Sequence, residues 1–273
     1  FGPDETTIPT RKSYLFEIDS EPFPSVFYRD GRSATLEVEE LVGKGWFQFP
    51  KNTDVLAGLI ELVTKPDDII LDFFAGSGST GHAVMNVNVA HGSKRRYVLV
   101  QLPEPTGRTG YATIAEITKQ RLRQAGNKIT VNFTAAGVDT GFRVLKIDTS
   151  NMADVYYSPD AIDKGQIDLL VDNIKPDRTS EDLLFQVLLD WGVDLTLPIT
   201  RETVEGKTVF TVAGTALIAC FDNGVDEALV KTLATRKPLR VVFKDTGFKD
   251  DATKINVKQI FKSLSPDTEV KAI

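Results

Sequence analysis

Cysteine occurs once and histidine twice among the 273 residues. A single thiol excludes an internal disulfide framework and fits a reducing cytoplasm. Cys220 sits in the apolar run ALIACF, where a thiol packs as a small hydrophobe rather than acting as a nucleophile. His82 and His91 lack Cys or His neighbours at metal-ligand spacing, which leaves them structural or solvent-facing roles and no metal site. No apolar run approaches the ~20 residues that span a bilayer, so no membrane association is expected. Excess positive charge is missing too: 32 Lys and Arg against 38 Asp and Glu give a net charge of −6. A main DNA-gripping surface is usually basic, so any such surface lies elsewhere or in a local patch. The chain starts at Phe1 without a signal-peptide pattern and reads as a piece of a longer protein.

Three regions are present. Residues 1–45 are rich in Pro, Glu and aromatics, show poor periodicity, and read as the tail of a preceding domain. Residues 46–135 carry the α/β pattern of a doubly wound fold. Asn52 or Thr53 can cap a helix with Leu56, Leu59, Ile60 and Val63 on one face, stopped by Pro66 and the two aspartates after it. IILDFF suits a buried parallel strand, a glycine turn opens the next helix, RRYVLVQL is a second strand, and Gly126 ends a further helix. Residues 136–273 form a second, smaller α/β unit. GFRVLKI alternates like a strand, Ser180 caps a helix stopped by Gly192, and a hairpin turns at Glu205–Gly206. ALIACF and LRVVF are buried strands, and two amphipathic helices follow them, around Leu229 and around Ile260.

The stretch from Asp72, DFFAGSGSTG, contains Gly76, Gly78 and Gly81 in a G-x-G-x-x-G spacing. Such a turn lets backbone approach a ligand and presents a helix N-terminus to an anion, and both dinucleotides and S-adenosylmethionine use it. Asp72, at the end of the strand, would repel a pyrophosphate by roughly 1 kcal/mol or more and would suit a cationic ligand. A dinucleotide fold wants an acidic residue after the second strand, where Gln101 stands, with Glu104 further on. Glutamine can still bond a ribose, so a nicotinamide-dependent oxidoreductase stays open as an alternative. A P-loop is excluded, because no Gly-Lys-Ser/Thr follows.

FPKNTDVLAGLIELV followed by DDIILDFFAGSGSTGHAV resembles motif X and motif I of amino-group DNA methyltransferases. RRYVLVQLPE, GYATIAEITKQRLRQAG, GFRVLKIDTSN, LLFQVLLDWGVDL and VVFKDTGFKDDATKINVKQIFKSLSP extend the likeness over nearly the whole chain. They resemble the modification subunit of type III restriction–modification systems, an adenine-specific (N6) DNA methyltransferase. The resemblance implies a partial Rossmann-like sheet that binds S-adenosylmethionine. Lys51 would lie near the methionine end, and Asp72 would bond the amino group. Phe73 and Phe74 would shape the pocket. Gly76, Ser77, Gly78, Ser79 and Thr80 would line it through backbone and hydroxyls, and Gln101 would face the ribose.

No catalytic residue is identified in this chain. Methyl transfer to a flipped adenine needs an Asp-Pro-Pro-Tyr-like element. The chain has no Pro-Pro dipeptide, and SEPFPS and YYSPDA do not fit. The element and the target-recognition domain are expected before Phe1, which would leave IILDFF as an edge strand. The resemblance further implies DNA as substrate, a homodimer of the full-length subunit, and a docking role for residues 136–273 towards the restriction subunit. A non-catalytic docking scaffold is the remaining alternative. Lys119, Arg121 and Arg123 could touch phosphate or form a solvated helix face. Asp250 or Asp251 reads as a helix cap rather than a metal or nuclease carboxylate.

Overall fold

The sequence predicts no helix before residue 46, yet α1 (Gly31–Val42) is regular. Asp30 caps it by accepting the Arg32 N–H, and Gly43, at φ 98°, ends it. Ala34, Val38, Leu41 and Val42 recur at helical spacing and are buried. In this computed structural model the described residues are Pro24, 26–132, Gly137, 139–153 and 173–273. Most of SEPFPS, all of YYSPDA and the expected boundary near residue 135 lie outside them. The chain divides into two units, Phe1–Leu145 and Lys146–Ile273, each described by itself below.

In the first unit, α2 (Thr53–Val63) is capped by Asn52, whose side chain accepts from the Asp54 and Val55 amides. Strands β1 (Ile69–Asp72) and β2 (Arg96–Leu99) pair in parallel, Ile69 opposite Arg96 and Asp72 opposite Leu99. Between them runs α3 (Ser79–His91), ended by Gly92 at φ 61°. The longest helix, α4 (Ile114–Asn132), follows β2. Ile60 of α2 meets Ala83, Val84 and Val87 of α3, with Ile70 and Tyr97 of the strands beneath. Val38, Leu41 and Val42 of α1 join Met85, Ile117, Leu122, Ala125 and Ile129.

Three expectations need correction in this unit. Gly126 does not end α4, which continues to Asn132. A Cβ at Gly126 would stand 3.0 Å from Thr140 Cβ, so the bare glycine admits a crossing segment. GFRVLKI forms no strand. Its Phe142 packs into the α1–α4 cluster under the Arg123 guanidinium instead of joining a sheet. Finally, β1 is not a buried strand. Ile69 and Leu71 are each 51% exposed, and Phe73, Val98 and Val100 are also open, because helices cover only the opposite face. Leu59 and Val63 of α2 are likewise exposed, and the helix buries its Ile60 side.

The second unit carries a five-stranded sheet in the order β3-β4-β5-β6-β7. Helix α5 (Ser180–Asp190) is capped by Thr179, not by Ser180, because Thr179 and Asp182 close a reciprocal capping box. Strands β3 (Ile199–Val204) and β4 (Lys207–Val212) form the expected hairpin. Glu205 and Gly206 both have positive φ, 48° and 74°, as a tight twisted turn requires. Next come β5 (Leu217–Cys220), α6 (Glu227–Thr235), β6 (Arg240–Phe243), α7 (Asp251–Leu264) and β7 (Glu269–Ala272), with β5, β6 and β7 parallel. One face, with Phe210, Leu217 and Ala219, packs on α5. The other, with Ile218, Cys220 and Phe243, packs on α6 and α7. This sheet is therefore clad on both sides. Asp250 caps α7 by accepting the Thr253 N–H at 2.7 Å, and Asp245 pairs with Lys254.

Candidate functional site at the glycine turn

β1 delivers Asp72 to the mouth of the turn. Its Oδ1 accepts the Phe74 N–H at 3.0 Å, and its Oδ2 accepts the Thr80 hydroxyl at 2.6 Å. The carboxylate thus bridges the end of the strand and the first turn of α3. Each glycine does different work. Gly76 and Gly78 have φ of 53° and 83°, the left-handed region that other residues enter only with strain. Gly81 has an ordinary φ, but a Cβ there would lie 2.7 Å from Leu122 Cδ2 and 3.0 Å from Leu99 Cδ1. Its bareness lets α3 close onto β2 and α4. Gly78 is the N-cap and brings no side-chain acceptor, so the first amides of α3 are left without a capping partner.

Of the residues expected at a cofactor, hydrogen bonds draw together Asp72, Thr80, Gly76 and Gln101 with the backbone of Phe74. Gln101 Oε1 accepts the Gly76 N–H at 2.8 Å, and its Nε2 donates to the Leu102 carbonyl. Ser77 and Ser79 are buried, and their hydroxyls face inward. Phe73 and Phe74 are 64% and 90% exposed beside the bare face of β1. Lys51 is exposed ahead of the α2 cap and is hydrogen bonded to none of these groups. Two shallow cavities, of about 340 and 360 Å³, lie away from the turn, beside Asp226 and Asp250 and beside Arg123 and Thr140.

Beneath the turn lies a polar layer that sequence reasoning missed. Thr118 of α4 donates its hydroxyl to the Gly76 carbonyl at 2.6 Å. Arg121, fully buried, donates from one guanidinium nitrogen to Ser77 Oγ (2.7 Å) and Ser79 Oγ (2.6 Å). The other terminal nitrogen donates to Glu37 Oε2 of α1 at 2.7 Å. Glu37 Oε1 accepts the Thr53 hydroxyl, also at 2.7 Å. Burial lowers the Arg121 pKa from its ordinary value, and the Glu37 charge and hydrogen bond offset part of that. His82, buried alongside, has no partner at Nδ1 and is pushed down to about 4 by burial and then by the Arg121 and Lys128 charges. Glu37 Oε1, 3.7 Å from that nitrogen, pulls the other way, but its charge is already engaged by Arg121. Arg121 is thus not part of a solvated face, while Lys119 pairs with Glu116 and Arg123 covers Phe142. One signal was available: Arg121 interrupts the apolar i, i+4 row Ile117, Ala125, Ile129, where a charge enters only with a partner.

Among the described residues no group of His, Cys, Asp and Glu could hold a metal ion, and no helix is long and apolar enough to cross a membrane.

Residues 16–125 match the family described as DNA methylase. The Mod subunit of the type III restriction-modification enzyme EcoP15I from Escherichia coli is 29% identical over 286 aligned positions, covering 97% of this chain and 41% of that protein. The Mod subunit of the StyLTI enzyme from Salmonella typhimurium is 32% identical over 157 positions, 55% of this chain and 24% of the relative. The type II methyltransferase M.KpnI from Klebsiella pneumoniae is 36% identical over 115 positions, 40% of this chain and 26% of the relative. The chain therefore spans less than half the length of these relatives. The matched segment holds β1, the glycine turn, β2 and most of α4, and the wider likeness runs through both units, so the chain is similar along nearly its whole length to the Mod subunits of type III restriction-modification enzymes.

Proposed function

We propose that the first unit is the S-adenosylmethionine-binding part of an adenine (N6) DNA methyltransferase with a Rossmann-like sheet. The observation that carries this reading is the Asp72 carboxylate, held at the mouth of a glycine turn that leads into a helix N-terminus. The residues fit such a ligand. Positive-φ glycines allow close backbone approach, the uncapped α3 amides suit a carboxylate, and Asp72 suits an ammonium or sulfonium. Phe73, Phe74 and Lys51 stand exposed for contact, and Gln101, Ser77 and Ser79 serve by holding the turn. When bound, this cofactor supplies an activated methyl group.

The base must be gripped by an Asp-Pro-Pro-Tyr-like element, and the 273 residues contain no Pro-Pro dipeptide. The element comes from chain outside these residues and takes the side of β1 that no described strand occupies. The chain by itself then binds the cofactor weakly and transfers no methyl group. The second unit serves as a docking module for the restriction subunit, and the full-length subunit acts on DNA as a homodimer.

Calorimetric titration with S-adenosylmethionine, S-adenosylhomocysteine and NAD tests the reading. Binding of the first two, weakened about ten-fold or more in Asp72→Asn, is the expected result, since one charge-assisted contact is worth about 1.5–3 kcal/mol. Binding of NAD alone, or DNA methylation by the isolated chain, overturns it.

A further inference from the structure

The polar layer under the turn has a role beyond filling space. Three residues of α4 on one face, Thr118, Arg121 and Leu122, address the turn at successive points. Thr118 holds the Gly76 carbonyl, Arg121 holds the hydroxyls of Ser77 and Ser79, and Leu122 abuts Gly81. Arg121 in turn is held from behind by Glu37 of α1. A buried guanidinium with its Nε unpartnered is no economical way to fill a core. Apolar residues in place of buried ion pairs are often neutral or stabilising. What the pair secures is geometry: Ser77 and Ser79 flank Gly78, the residue whose left-handed backbone leads the chain into α3.

We propose that Arg121, clamped by Glu37, is a positioning residue that fixes the Ser77–Ser79 backbone and so preorganises the helix N-terminus for its ligand. This deepens, and for its ligand rests on, the S-adenosylmethionine reading above. Preorganisation contributes affinity by removing the ordering cost from the binding step. It also ties α1 to the turn, through the bond from Arg121 to Glu37.

The test uses the 273-residue chain and the variants Arg121→Met, Glu37→Gln and Ser79→Ala. Hydrogen exchange is read at the Gly76 amide, bonded to Gln101 Oε1, at the Gly78 and His82 amides, bonded to the Ala75 and Gly78 carbonyls, and at Leu122 and Ala125 inside α4. Affinity for S-adenosylhomocysteine is read in parallel. Expected is faster exchange at the three turn amides, about ten-fold, with the α4 amides unchanged, and about ten-fold weaker binding. Arg121→Lys, which cannot hold both serines and Glu37 in one plane, restores at most part of either. Unchanged turn amides overturn the proposal. So does a uniform loss across turn and helix, which marks a general folding role. Should Arg121→Met not fold, Ser79→Ala deletes only a hydroxyl and reads the same amides. If the wild-type chain binds no S-adenosylhomocysteine, the cofactor reading fails, while the exchange comparison still decides whether Arg121 sets the turn.

Discussion

Mild acid should loosen the first unit through His82. In the unfolded chain this imidazole titrates near 6.5; in the fold it is held down to about 4. As pH falls below 6.5 the unfolded chain takes the proton first, so the stability linked to His82 is full above 6.5 and is lost towards pH 4. The gap corresponds to about 3 kcal/mol in full, and about 2 kcal/mol is already gone at pH 5. The ring is only 6% exposed, so solvent screening reduces this little. Urea melts at pH 7.5 and pH 5 read the effect, followed by Trp46 fluorescence in a Trp191→Phe background. Trp46 packs with Tyr111 in the first unit and Trp191 belongs to the second, so the remaining signal reports the right unit. Wild type should lose stability between the two pH values and His82→Gln should lose much less. Equal losses in both proteins would refute the argument, because the proton would then be going elsewhere.

Two other outcomes follow from packing. Cys220 is fully buried and its thiol is pushed up to about 11 by burial, so a thiol-specific reagent at pH 8 should label it only after unfolding. Fast stoichiometric labelling of the native protein would contradict the second unit's core. Gly81→Ala should cost about 1–3 kcal/mol in thermal melts, since Leu122 and Leu99 must both move, and an unchanged melting temperature would mean that the close α3 contact is not as described.

Where a residue's own chemistry decides its conformation, the sequence was a good guide. The α/β class, the strand into the glycine turn, the hairpin at Glu205–Gly206 and the Asp250 cap all follow from local rules. Asn52 caps α2 for the same reason. Decisions made by distant neighbours were not legible. Gly126 looks like a helix stop until Thr140 is seen to cross it. GFRVLKI has a strand's alternation but packs Phe142 against α4. α1 was hidden because its four buried positions lie among Glu and Arg in a Pro-rich neighbourhood. At the site, the glycines were visible as motif, but Glu37 and Arg121 stand 84 residues apart and only the fold joins them.

Among the described residues β1 pairs on one side alone, with β2, and this has a consequence for control. Asp68, Ile70 and Asp72 face β2 along the parallel ladder, as the bonds from Arg96 and Val100 require, so Ile69, Leu71 and Phe73 turn their amides and carbonyls outward. Any strand that docks there must stiffen the residues on either side of Asp72. Any coupling between such a strand and a ligand that grips Asp72 would be equal in both directions, because linkage is reciprocal. Were a strand to complete the sheet and a ligand to load the turn, the two events would be handles on a single equilibrium.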